Sequence, residues 1–219
     1  ERRLFNAWLR LPFDAPPGEP SLKIARSFVG AEAVRSVLED SLRLHFGTAA
    51  AKPTSAAEIA ANAILSAHLG GVRRLPEFPE IFATQTRVAL ASETPEVRRR
   101  CAAAIVHCGN DRALAAEILE KLLIDKVPEV ALEALAALDP NKPERFTPGV
   151  QGRLRELTGP DHSRLMRGQA IEKLAAAPTI TESDLAALAA CAADSEEVVR
   201  TAGAAALQRI ARRATKAAN

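Results

Sequence analysis

The sequence predicts an all-α chain in which paired helices recur at a near-constant interval. Three observations carry this. Tyr is absent and aromatics make up only 4% of the 219 residues, while Ala and Leu abound, a balance that suits close helix packing and not strands. From residue 55 onward, apolar segments of helical period alternate with short turns. Those segments are also self-similar. Val97 is followed at +1, +4 and +8 by Arg98, Cys101 and Ile105; Val130 by Ala131, Ala134 and Leu138; Met166 by Arg167, Ala170 and Leu174; Val199 by Arg200, Gly203 and Leu207. The anchors lie 33, 36 and 33 residues apart. A period in the thirties, made of helix pairs, predicts an α-solenoid.

Residues 1–50 form a distinct helical segment. An amphipathic helix over 2–11 precedes a Pro/Gly connector over 12–20 that cannot be helical throughout. Two helices follow over 21–47, and 48–55 is the next break. Residues 51–219 are the array, with about four to five helix pairs. Helices over 55–70 and 77–92 make a first, less regular pair. After it, each of the anchors at 97, 130 and 166 opens a helix whose partner spans 112–124, 148–157 and 182–193 in turn. The anchor at 199 lies in the last helix.

"PEVRRRCAAAIVHCG" (95–109) and "SEEVVRTAGAAALQRIA" (195–211) resemble the first helix of HEAT repeats: a polar start, Val-Arg, a run of small residues, then an Ala-Leu or Gly-ended close. The resemblance covers roughly residues 55–219. The unit at 127–157 departs from it, with Ala131 in place of the arginine and a Pro-rich turn, "DPNKPERFTP". It implies an all-α solenoid in which Arg98, Arg167 and Arg200 are structural arginines, pairing with acidic or carbonyl groups of the neighbouring repeat. Within the family, some members cradle DNA, as alkylpurine DNA glycosylases do, and others attach bilin chromophores.

The stretch 95–109 is the most chemically suggestive in the chain. On an α-helical wheel Val97, Cys101, Ala104, Ile105 and Cys108 share one stripe about 100° wide, so both cysteines belong to a packed face. Seven residues apart, they are separated by about 10.5 Å of helix rise, too far for an unstrained disulfide. Arg98, Arg99 and Arg100 fan around the helix instead of converging. Arg100 and His107 share a flank and are the one pair here placed for ligand contact. This helix is therefore expected to pack, not to catalyse.

Other chemistry is sparse. His45, His68, His107 and His162 lack metal-ligand spacing. In "GPDHSR" (159–164), Asp161 or Ser163 fits the N-cap of the next helix better than a triad. "LGGVRRLP" (69–76) lacks a phosphate-loop spacing and suits a helix C-cap and loop, with Arg73 and Arg74 as candidates for an anion contact. No cofactor and no metal are expected. The formal charge is only +2, from 29 Lys+Arg against 27 Asp+Glu. From Leu174 through Val199 there is neither Lys nor Arg, so the repeated basic stripe that nucleic-acid binding needs is missing. No apolar run reaches the length of a transmembrane helix. Glu1 in place of Met marks a processed or partial chain, and with no targeting motif legible the sequence assigns no compartment.

The expected function is a non-catalytic scaffold that binds another protein, as a subunit or domain of a larger assembly. Two places stand out for partner contact. Phe5 and Trp8 lie three apart on the first helix, placed to cap the first repeat or to anchor a partner. Arg209, Arg212, Arg213 and Lys216 share a face about 100° wide on the last helix, which suits either a polar end cap or an electrostatic dock.

Overall fold

In a computed structural model of the chain, residues 39, 42–43, 45–48, 78–109 and 111–218 are described. Phe5, Trp8, Arg73 and Arg74 lie outside them. The described residues contain eight α-helices, two 3₁₀ turns and no strand. The chain is all-α over this extent, and it divides into two compact units, Glu1–Ser92 and Glu93–Asn219.

In the first unit a helical stretch through Phe46 closes at Gly47, whose φ of 75° is the left-handed conformation that ends helices. Thr48 N–H then reaches back to the Arg43 carbonyl at 2.9 Å. Helix α1 (Phe78–Leu90) places Phe78 and Phe82 one turn apart, so their rings stack at 5.2 Å, and Phe46 lies 6.1 Å from Phe82. All three rings are buried. The aromatics that remain this far into the sequence make a core here.

The second unit contains α2 (Pro95–Ala104), α3 (Arg112–Leu123), α4 (Pro128–Ala137), α5 (Pro148–Leu157), α6 (Arg164–Ala176), α7 (Glu182–Ala192) and α8 (Glu197–Ala218). Their starts are chemically marked. Proline occupies the first turn of α2, α4 and α5, where no N–H is needed. Asp111, Thr147 and Ser163 accept the orphan N–H of Leu114, Val150 and Met166. Thr181 and Asp184 form a reciprocal capping box. Ser163, not Asp161, is thus the cap of α6.

The helices touch in alternation. α2 packs on α4, α4 on α6 and α6 on α8, while α3 packs on α5 and α5 on α7; α3 also meets α2 and α4, α5 meets α6, and α7 meets α8. The repeating positions supply the core. Val97, Val130, Met166 and Val199 are buried, as are Cys101, Ala134, Ala170 and Gly203 one turn on, and Ile105, Leu138 and Leu174 beyond them. Leu207 is only half-buried, because α8 has no later helix beside that turn among the described residues.

One local expectation changes. The helix expected to run through 109 ends at Ala104 and continues as a 3₁₀ turn, Ile105–His107. Gly109, at φ 58°, turns the chain immediately afterwards, and a tightened last turn is a common way to reach such a cap. Cys101 and Cys108 are still both buried.

Candidate functional site

Two features of the second unit carry specific polar geometry: a set of arginine clips inside it and a basic face on α8. Arg98, on α2, holds Asp125 by two near-parallel bonds, Nε to Oδ2 at 2.5 Å and Nη2 to Oδ1 at 2.8 Å. Its Nη1 donates to the Glu93 carbonyl at 2.9 Å. Asp125 sits in the turn before α4 and also accepts the Val127 N–H at 2.9 Å. Each clip therefore ties the turn before one helix to the turn before the next helix of the same row.

Arg167 on α6 repeats the arrangement one unit later. Its Nε donates to the Thr158 carbonyl at 3.1 Å, before α6, and its Nη2 bonds Asp194, before α8. Asp194 accepts the Glu196 N–H at 2.8 Å as Asp125 accepts that of Val127. Arg167 is only 3% exposed, so its charge depends on these partners. Arg200 makes the first half of the clip alone, donating to the Asp194 and Ser195 carbonyls at 2.9 and 3.0 Å from an exposed position. The Arg98 clip is bidentate Arg–carboxylate geometry, and the Arg167 clip divides one planar guanidinium between a carbonyl and a carboxylate, neither of which a single ammonium could reproduce.

The electrostatics follow. The bond to Asp125 raises the Arg98 guanidinium against the opposing cost of burial. Burial alone would push the Asp125 carboxyl up, but the Arg98 bond, the Val127 N–H and the Arg98 charge together bring it below its ordinary value. For Asp194 the Arg167 bond comes first and the Glu196 N–H second, again lowering the carboxyl. By contrast burial pushes the Cys101 thiol up to about 12, and its Sγ points to the Val97 carbonyl one turn back. That thiol stays protonated and inert at neutral pH.

The other row has its own polar links. Arg155 on α5 donates to the fully buried Asp184 of α7 at 2.6 Å, and Gln151 donates to the Thr179 carbonyl at 2.7 Å. Glu120 on α3 accepts from Thr147 at 3.0 Å. None of these partners was evident from sequence, because each joins residues about one repeat apart in the chain. The spacing itself is the signal: the Arg-to-Asp interval is 27 residues in both complete clips.

On α8, a shallow depression of about 410 Å³ is lined by Ala205, Gln208, Arg209, Arg212, Arg213 and Lys216. The four cations expected to share a face do line one surface, but they are not equivalent. Arg213 reaches off the helix to the end of α6, donating to the Ala175 and Ala177 carbonyls at 2.9 Å each. There it satisfies orphan carbonyls at a helix C-terminus, where a cation is favoured. Arg209, Arg212 and Lys216 are exposed and have no ion-pair partner among the described residues. Elsewhere, Arg100 is exposed and 3.7 Å from Glu96, and His107 is half-buried on the 3₁₀ turn, so the helical wheel that put the two on one flank does not extend to His107. Among the described residues no group of three or more His, Cys, Asp or Glu is placed to hold a metal ion.

No known protein-family model matches the chain, and no curated protein does. No helix among the described residues is long and apolar enough to cross a membrane.

Proposed function

We propose that residues 93–219 are an α-solenoid of HEAT-like helix pairs acting as a non-catalytic scaffold that binds another protein. The alternating contacts of the two helix rows carry this reading. Stacked pairs of this kind bury their small-residue faces against one another and leave long outer surfaces, which suit gripping a partner more than enclosing a substrate. The period of 33 to 36 residues and the clips at a constant 27-residue interval support the same reading. Polar side chains inside the unit are used to join helices: Arg98 holds Asp125, Arg167 holds Asp194 and Arg155 holds Asp184.

Nucleic acid is the weaker reading. α7 begins with Glu182 and Asp184 and carries no cation, so no basic stripe runs the length of its row. Duplex binding proteins usually spread six or more phosphate contacts over their surface.

Native mass spectrometry of the full chain with its co-purifying proteins, followed by cross-linking, tests the scaffold. A stoichiometric protein complex cross-linked through outward helix faces is the expected result. Retention of nucleic acid in place of protein, or catalytic turnover, contradicts it.

A further inference from the structure

We infer that the basic face of α8 docks an acidic, amphipathic helix of a partner protein, lying antiparallel to α8. This rests on the scaffold reading and names the chemistry of the partner. The face is longer than its cations. With Arg209 at 0° on an α-helical wheel, Val198, Ala202 and Ala205 fall at about 340°, 20° and 320°, in the same 100° stripe as Arg212, Arg213 and Lys216. Val198 is 58% exposed, Ala205 is exposed and Ala202 half-buried. The stripe therefore begins apolar and small and ends cationic, running about 27 Å, or five turns, from Val198 to Lys216.

Each half specifies its occupant. Alanines on a helix face let a second helix approach to about 8–10 Å between axes, so the N-terminal half favours another helix with small apolar residues. Arg209, Arg212 and Lys216 recur one turn apart, the spacing at which a facing helix presents carboxylates at i, i+3, i+4 and i+7. Arginine pairs with carboxylates in bidentate fashion. The partner's acidic half must lie beside the C-terminal half of α8. Carboxylates stabilise a helix best near its N-terminus, so the acidic half is the partner's N-terminal half and the two helices run antiparallel.

The same features disfavour a polyanion. Arg213 is already committed to the end of α6, and the uncommitted cations span only about 10 Å. The helix begins with exposed Glu197 next to exposed Glu196, which would repel a phosphate chain or anionic lipid surface extending that way. α8 carries no aromatic residue to enter a membrane.

The test uses the full chain and a fluorescein-labelled 21-residue peptide, blocked at both ends. Its N-terminal half carries Glu at i, i+3, i+4 and i+7, and its C-terminal half carries Ala and Leu on the same face. Comparison probes are a scrambled peptide of equal composition, a peptide with the halves exchanged, a 20-base-pair DNA duplex and phosphatidylserine vesicles. Binding of the first peptide should exceed that of both comparison peptides by about tenfold, as expected for several rim ion pairs acting together. It should weaken between low and physiological salt. The triple variant Arg209→Glu, Arg212→Glu, Lys216→Glu leaves the bonds from Arg213 to the end of α6 intact, so its helical circular dichroism and melting should match wild type while the peptide affinity falls at least tenfold. Equal binding of scrambled peptide, binding unaltered by the reversal, or preference for the duplex or the vesicles overturns the dock. If the peptide fails while wild type and the variant keep the same cross-linked protein partner, the dock falls and the scaffold stands. Absence of any protein partner for either chain sinks the scaffold as well.

Discussion

Gly203 is where α8 crosses the end of α7, and replacing it with alanine should destabilise the second unit. A Cβ at this position would lie 2.5 Å from the Ala192 nitrogen, 2.8 Å from the Cys191 carbonyl carbon and 2.9 Å from the Cys191 Cβ. Two of the three obstacles are backbone, so relief requires the helices to separate. Overpacking of this kind costs about 1–3 kcal/mol, with the upper part expected where no flexible side chain can yield. Against it stands the intrinsic helix preference of alanine over glycine, about 1 kcal/mol. The net loss should be about 1–2 kcal/mol. Gly168, in α6, provides the control, since a Cβ there meets nothing within 4 Å. Gly168→Ala should therefore stabilise by about 0.5–1 kcal/mol, from the backbone term alone. Urea unfolding followed by circular dichroism measures both. Opposite signs are expected; equal or greater stability of Gly203→Ala would refute the close approach of α7 and α8.

Further expectations concern the clips and the thiols. Arg167→Met should lower the urea midpoint far more than Arg200→Met, because Arg167 is buried against a carboxylate while Arg200 only touches exposed carbonyls; comparable midpoints would count against the clip. Asp125 and Asp194 are both held below the ordinary carboxyl value of 3.8, so their stabilisation is fully present above that value and drains away as pH falls through the lower folded-state values. Acid titration of stability should accordingly be steeper below about pH 4 in wild type than in the double variant Arg98→Met, Arg167→Met. Cys101 should resist alkylation by iodoacetamide at pH 8 until the unit unfolds, its thiol being buried and pushed up to about 12. Cys101→Ser should unfold more readily than Cys101→Ala, since it leaves a hydroxyl where only the Val97 carbonyl is near.

Helix existence was legible in the sequence because the signals are local. The expected spans 112–124, 148–157 and 182–193 meet helices Arg112–Leu123, Pro148–Leu157 and Glu182–Ala192, each marked by a cap residue or a first-turn proline. The 3₁₀ close of α2 was not legible, since uniform helical periodicity has no term for the turn Gly109 imposes. That arginines 98 and 167 would pair with acidic or carbonyl groups of a neighbouring unit was an expectation that came with the resemblance to HEAT repeats. Which carboxylates they hold was not, because Asp125 and Asp194 read equally well as charges at helix starts, and they also serve as acceptors there. The four cations of α8 illustrate the limit from the other side. A wheel assigns them one face, but only the position of the α6 terminus separates Arg213, which caps it, from Arg209, Arg212 and Lys216.

The unit that departs from the pattern is informative for the same reason. Ala131 stands where Arg98 and Arg167 stand in their units, and the residue 27 places further on is Thr158 instead of an aspartate. Both members of the clip are absent together. Energetically this is the tolerable change. Keeping either charge alone would leave it without its partner at a buried position, Ala131 being 1% and Thr158 5% exposed, and an uncompensated buried charge costs more than a replaced pair. Thr158 still accepts the Arg167 bond through its carbonyl, a role open to any residue, so the following clip is unaffected. What the middle unit lacks is the carboxylate link between its own first helix, α4, and the turn before α6. Lys173 on α6 donates to the Leu138 carbonyl at the end of α4 at 2.8 Å, a single flexible ammonium contact at the opposite end of that helix. The α4–α6 contact is therefore held mainly by packing, whereas α2–α4 adds the bidentate Arg98–Asp125 clip and α6–α8 the Arg167–Asp194 bond.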